Sequence, residues 1–176
     1  QDFGPQKWKV ALTAETPFVR PGDTIKVRAD SRFLYGAPAS DLTGDAEARI
    51  SVDTTPFEGY GGWQFGRVDD TFSDVDVTMT VPQTDAMGST EVTGDVGDLA
   101  DTTLPLKAMV KVSIHEPGGR ATSKTVEVAV RNHDVMIGIR PDFQDGSVAE
   151  GQRAGFEVVA LSAEGKRVNL SGLTYS

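Results

Sequence analysis

Cysteine is absent from the sequence, which excludes a disulfide, a thiolate metal site and a thiol nucleophile, and leaves the redox compartment unreported. Long hydrophobic runs are missing as well. No apolar stretch approaches the roughly 20 residues that cross a bilayer, and the first residues hold no basic region followed by a hydrophobic core. A soluble chain without a targeting address is expected. Basic runs are lacking: 17 Lys and Arg are scattered among 26 Asp and Glu, for a formal net charge of −9, which disfavours nucleic acid and anionic lipid as partners. Nowhere does an apolar stripe persist at a 3.6-residue period, so almost no helix is expected.

What is present is a β pattern. The 176 residues, 38% of them hydrophobic, suffice for a core, and short alternating runs are separated by Gly, Pro, Asp and Asn clusters. Residues 8–14 read as a first strand, and Val19-Arg-Pro-Gly-Asp23 as a turn with Pro second and Gly third. In 24–35, Ile25, Val27, Ala29 and then, after a break near Ser31, Phe33 and Tyr35 alternate with charged residues. Residues 46–52, 74–81 and 88–94 continue the series. The strand 106–115 sets Ala108, Val110, Val112 and Ile114 against Lys107, Lys111 and Ser113, and Glu116-Pro-Gly-Gly-Arg120 turns it into 122–130, a hairpin.

Between the third and fourth strands lies Pro56-Phe-Glu-Gly-Tyr-Gly-Gly-Trp-Gln-Phe-Gly66, with four aromatics and four glycines. It reads as an ordered loop packed on the sandwich. After the polar joint Arg131-Asn-His-Asp134 the pattern restarts with strands at 135–139, 155–161 and 168–175 and a turn at Ala163-Glu-Gly-Lys166. The expected fold is all-β: an antiparallel immunoglobulin- or fibronectin-like β-sandwich over residues 1–133, followed by the first strands of a second, incomplete one over 134–176.

Several stretches resemble the middle macroglobulin domains of bacterial alpha-2-macroglobulins: Arg32-Phe-Leu-Tyr-Gly-Ala-Pro-Ala-Ser40, Pro56-Phe-Glu-Gly-Tyr60 with Phe65-Gly66, and Ile137-Gly-Ile-Arg-Pro141 with Ala149-Glu-Gly151. Leu104-Pro-Leu-Lys107, Glu116-Pro-Gly-Gly-Arg120 and Gly165-Lys-Arg-Val168 extend the resemblance over nearly the whole chain. It implies a macroglobulin domain just before the bait-bearing part of a large, usually lipid-anchored periplasmic protein, followed by the start of the next domain. In that family a protease cuts the bait, the body collapses around it, and a thioester traps it. The thioester needs a Cys in a Cys-x-Glu-Gln arrangement, so none of the family's reactive residues maps here. The resemblance thus implies a non-catalytic scaffold whose partners are neighbouring macroglobulin domains and, through the full protein, target proteases, without direct membrane contact.

No catalytic, cofactor or metal residue is assigned. Asp69, Asp70, Asp74 and Asp76 are the densest acidic cluster, but the Asp-x-Asp-x-Asp-Gly calcium loop with its closing Glu is missing, and strand alternation accounts for Asp74 and Asp76. His115 and His133 are the only histidines; each sits at a strand end or joint, where a general base would need an oriented partner. No Gly-x-Ser-x-Gly elbow, phosphate loop or His-Glu-x-x-His helix occurs. Phe57, Tyr60, Trp63 and Phe65 are a candidate sugar-stacking platform, which keeps a carbohydrate-binding or adhesion module as the alternative; their exposure decides. Gly36 and Pro38 are expected to set a strand corner. In the incomplete unit, Phe156, Val158 and Leu161 are expected to be exposed, leaving this tail mobile or paired with another copy.

Overall fold

The computed structural model describes residues 8–118, 120–143 and 147–172. Eleven strands and no helix occur among them. The first sheet sets β1 (Trp8–Ala14) and β7 (Ser89–Asp95) on either side of β3 (Thr24–Phe33). A second, five-stranded sheet has the order β2 (Phe18–Val19), β9 (Ala121–Val130), β8 (Leu106–His115), β4 (Thr43–Val52) and β6 (Val75–Thr78). Alternation dictates how they meet. Ile25, Val27 and Ala29 of β3, Val92 of β7, Ile50 of β4 and Leu106, Ala108, Val110, Val112 and Ile114 of β8 all point into one shared core. The result is a two-layer sandwich.

The β8–β9 hairpin forms as the sequence predicts, with ten register pairs from Leu106↔Val130 to His115↔Ala121. Glu116 N–H closes the turn on the Arg120 carbonyl at 2.7 Å; Gly119 lies outside the described residues. The Pro21-Gly22 turn also forms, with Asp23 N–H donating to Arg20 O and Gly22 at φ 84°.

Other expectations are corrected. Strand β3 runs unbroken through Ser31, which is fully buried and continues the inward series, its N–H on Gly88 O and its carbonyl accepting from Ala39 N–H. The strand ends at Phe33, and Tyr35 lies outside it, 80% exposed but stacked on the Phe33 ring at 5.3 Å. The expected 74–81 strand pairs with β4 only over Val75–Thr78; Thr80 then bridges to Thr93 of β7, so the chain crosses from one layer to the other and closes a sandwich corner. Residues 168–172 form no strand. After the 163–166 turn, Arg167 makes a single bridge to Leu161 and Val168 N–H reaches Ala160 O. The rest of that expected strand, 173–176, lies outside the described residues.

A third sheet has the order β11 (Phe156–Ser162), β10 (Val135–Pro141) and β5 (Gln64–Phe65). Its first two strands follow the polar joint. The third comes from the aromatic, glycine-rich segment, which is therefore not a loop laid on the sandwich: Phe65 pairs with Gly138 and Gln64 with Ile139. Two isolated residues have no periodicity, so β5 was invisible as a strand.

Candidate functional site

The place where the sandwich meets the third sheet gathers the unusual chemistry of the chain. Phe57 and Phe65 are buried with Met136, Val159 and Leu161 in a second core separate from the first, and Tyr60 and Trp63 pack half-buried at its margin. The aromatic centroids lie 5.0 Å apart for Phe57 and Phe65 and 5.8 Å for Tyr60 and Trp63, tilted or edge-on as ring quadrupoles prefer. Gly138 makes this possible: a Cβ there would stand 2.6 Å from the Phe65 ring.

Cations cover what the rings leave open. The Arg140 guanidinium lies over Trp63 at 4.9 Å, with its Nε donating to Glu157 on the neighbouring strand at 2.9 Å. Arg167 Nε donates to the Tyr60 hydroxyl oxygen at 3.1 Å, a bond that raises the arginine pKa. A sugar platform needs free ring faces; here two rings are sealed and Trp63 is covered by a guanidinium. Leu161, expected to be exposed, is fully buried in this core, whereas Phe156 and Val158 are 59% and 56% exposed as expected. The split follows position along β11 and not alternation: Phe156, Glu157 and Val158 are exposed, and Val159, Ala160 and Leu161, in the second half of the strand, are buried.

Each side chain of the joint 131–134 is tied down. Arg131 is buried, donating through Nη2 to Pro56 O at 2.9 Å and through Nε to Ala163 O at 3.3 Å, with its Cζ 4.5 Å from the centre of the Phe57 ring. Burial pushes its pKa down, and the charge of Asp53 opposes that. Asn132 Nδ2 and His133 Nε2 both reach Thr102 O, at 2.6 and 2.9 Å, so the imidazole donates to a backbone carbonyl. Asp134 pairs with Arg20 at 2.8 Å. The acceptor loop is itself anchored: the Asp70 carboxylate accepts from Thr103 N–H at 2.7 Å, the Thr103 hydroxyl at 2.8 Å and the Thr102 hydroxyl at 3.0 Å. These bonds, led by the Thr103 N–H, pull the Asp70 pKa down to about 2.

The acidic cluster does not converge. Asp69 pairs with Arg67 and Asp76 with Arg49, while Asp70 serves Thr102 and Thr103. Among the described residues no three His, Asp or Glu side chains gather as a metal site. His115 pairs with Asp45 on the exposed face of the five-stranded sheet. Sequence reasoning saw the joint as polar but missed Arg131 and Asp70 as its anchors. Arginine between strands ordinarily reads as solvated, and the distant carbonyls that hold it leave no local signal.

The chain has counterparts among known proteins. A family model described as "Bacterial Alpha-2-macroglobulin MG5 domain" matches residues 7–131, and one described as "Bacterial macroglobulin domain 6" matches 138–176. The alpha-2-macroglobulin of Xylella fastidiosa is 28% identical over 185 aligned positions, which cover 98% of this chain and 11% of that protein. A crystal structure of a Salmonella alpha-2-macroglobulin mutant superposes with a TM-score of 0.72 at 26% identity, covering 98% of this chain and 12% of that one. Escherichia coli alpha-2-macroglobulin activated by porcine elastase gives 0.69 at 29% identity, with 93% and 15% covered. The chain thus spans about a tenth of the curated relative's length, and the two family models together take in nearly all of its residues. With one family model over 7–131 and the next over 138–176, the chain belongs to the bacterial alpha-2-macroglobulin family.

Proposed function

We propose that this chain is a non-catalytic scaffold within a periplasmic protease-trapping inhibitor. A sandwich over 1–133 and the beginning of a second macroglobulin unit over 134–176 hold each other at a fixed angle. The parent protein, with its target proteases as partners and an inner-membrane lipid anchor outside this region, acts when bait cleavage moves its domains; this piece passes that movement on. One observation carries the reading: Asn132, His133 and Asp134 are bound to the sandwich while Arg131 reaches Pro56 O and Ala163 O in the turn after β11, so the link behaves as a clamp. A tether would leave them free in solvent. The elastase-activated relative supports the protease as trigger.

The test is made in the intact parent protein with Arg131→Asp, which sets a carboxylate against Pro56 O and Ala163 O. Bait cleavage by elastase should proceed at the normal rate, while the fraction of protease shielded from a large protein substrate falls severalfold. Undiminished shielding would remove the scaffold role from this joint. The isolated chain, whose β11 edge has no partner beyond Val168 among the described residues, is expected to associate with a second copy.

A further inference from the structure

We propose that residues 56–66 open and close together with the third sheet, not with the sandwich whose sequence surrounds them, and that Arg131 couples the two. The proposal stands on this chain's own contacts and does not require the protease-trapping reading.

By chain order the segment belongs between β4 and β6, both in the five-stranded sheet. By contact it does not. Phe57 and Phe65 sit in the second core, which shares no residue with the first, and β5 pairs with β10. Its ties to the sandwich lie near its two ends, where Asp53 N–H meets Pro105 O and Arg67 N–H meets the Thr103 hydroxyl, and at Arg131, whose own N–H is bonded to Val19 O while its side chain holds Pro56 O. Arg131 touches both halves of the assembly at once: Pro56 O and the Phe57 face on the segment, and Ala163 O in the turn after β11. Its Nη1 is buried without a protein partner. A charged group that already lacks one acceptor tolerates the loss of another poorly in apolar surroundings. Departure of either half therefore weakens the hold on the other, which is the condition for one cooperative unit.

Hydrogen–deuterium exchange of the unmodified full chain, followed by mass spectrometry across a series of low urea concentrations, reads this directly. Peptides from 57–66 and from 136–162 should lose protection with the same urea dependence, while β3, β7 and β8 stay closed. Exchange of 57–66 in step with β4 and β8 would overturn the proposal. Arg131→Lys keeps the charge but loses the fork that reaches two carbonyls; it should raise exchange in both peptide groups together, by about tenfold or more, and leave β8 unchanged. A rise confined to 136–162, or none in either, would overturn the assignment of Arg131.

Discussion

Three positions, Gly36, Gly138 and Asp70, show three different local constraints. Gly36 stands at φ 98° with open space around it, so the barrier there is the backbone conformation and not a clash. Gly36→Val should lower stability by about 1–3 kcal/mol, read as a shift of the urea midpoint without a change in slope. At Gly138 the obstacle is the Phe65 ring itself. Gly138→Val should cost about 1–3 kcal/mol by overpacking and release Trp63, seen as a red shift of tryptophan emission. Asp70 is an electrostatic case. Its folded pKa, about 2 against an ordinary 3.8, means that the unfolded chain binds the proton more tightly. The carboxylate's contribution is therefore whole above 3.8 and disappears as pH falls through about 2. Urea midpoints of the natural chain and Asp70→Asn, compared across pH, should differ by a constant amount near neutrality and converge towards pH 2; a gap independent of pH would show that the hydrogen bonds to Thr102 and Thr103 do not depend on charge.

At the level of strands, legibility tracked periodicity. The hairpin of β8 and β9 was readable to the residue at its first strand because Ala108, Val110, Val112 and Ile114 alternate without a fault and a Pro-Gly-Gly turn follows. The two-residue strands β2 and β5 were not readable, since each exists only because a distant partner lies beside it: Phe18 beside Ala129 in parallel, Phe65 beside Gly138. Burial of Ser31 and Arg131 was hidden for the same reason, as their neighbours are Gly88, Ala39, Pro56 and Ala163. The open flank of β11 makes its own demand. Phe156 and Val158 project from an edge with a single charge, Glu157, already turned to Arg140, and unguarded edges invite pairing. Sedimentation of the isolated chain should show mass rising with concentration, and Val158→Lys should abolish the rise. A natural chain that stays monomeric at all concentrations would remove β11 as a pairing edge.

Taken whole, the molecule holds two apolar cores of unequal size. Among the described residues, twenty buried side chains make the first and five the second, and stability follows the surface removed from water. Urea should therefore unfold the chain in two steps, the smaller core first, with the first step showing the shallower denaturant dependence because it exposes less surface; a single transition seen alike by all probes would mean that the joint fuses both cores into one. The borrowed strand also sets a schedule for biosynthesis. Phe57 and Phe65 leave the ribosome well before Val159 and Leu161 have been added, a wait on the order of ten seconds at ordinary translation speeds. During that interval Phe57 and Phe65 have no core to enter, so the glycine-rich arm keeps its apolar surface uncovered until residue 161 is available to close over it.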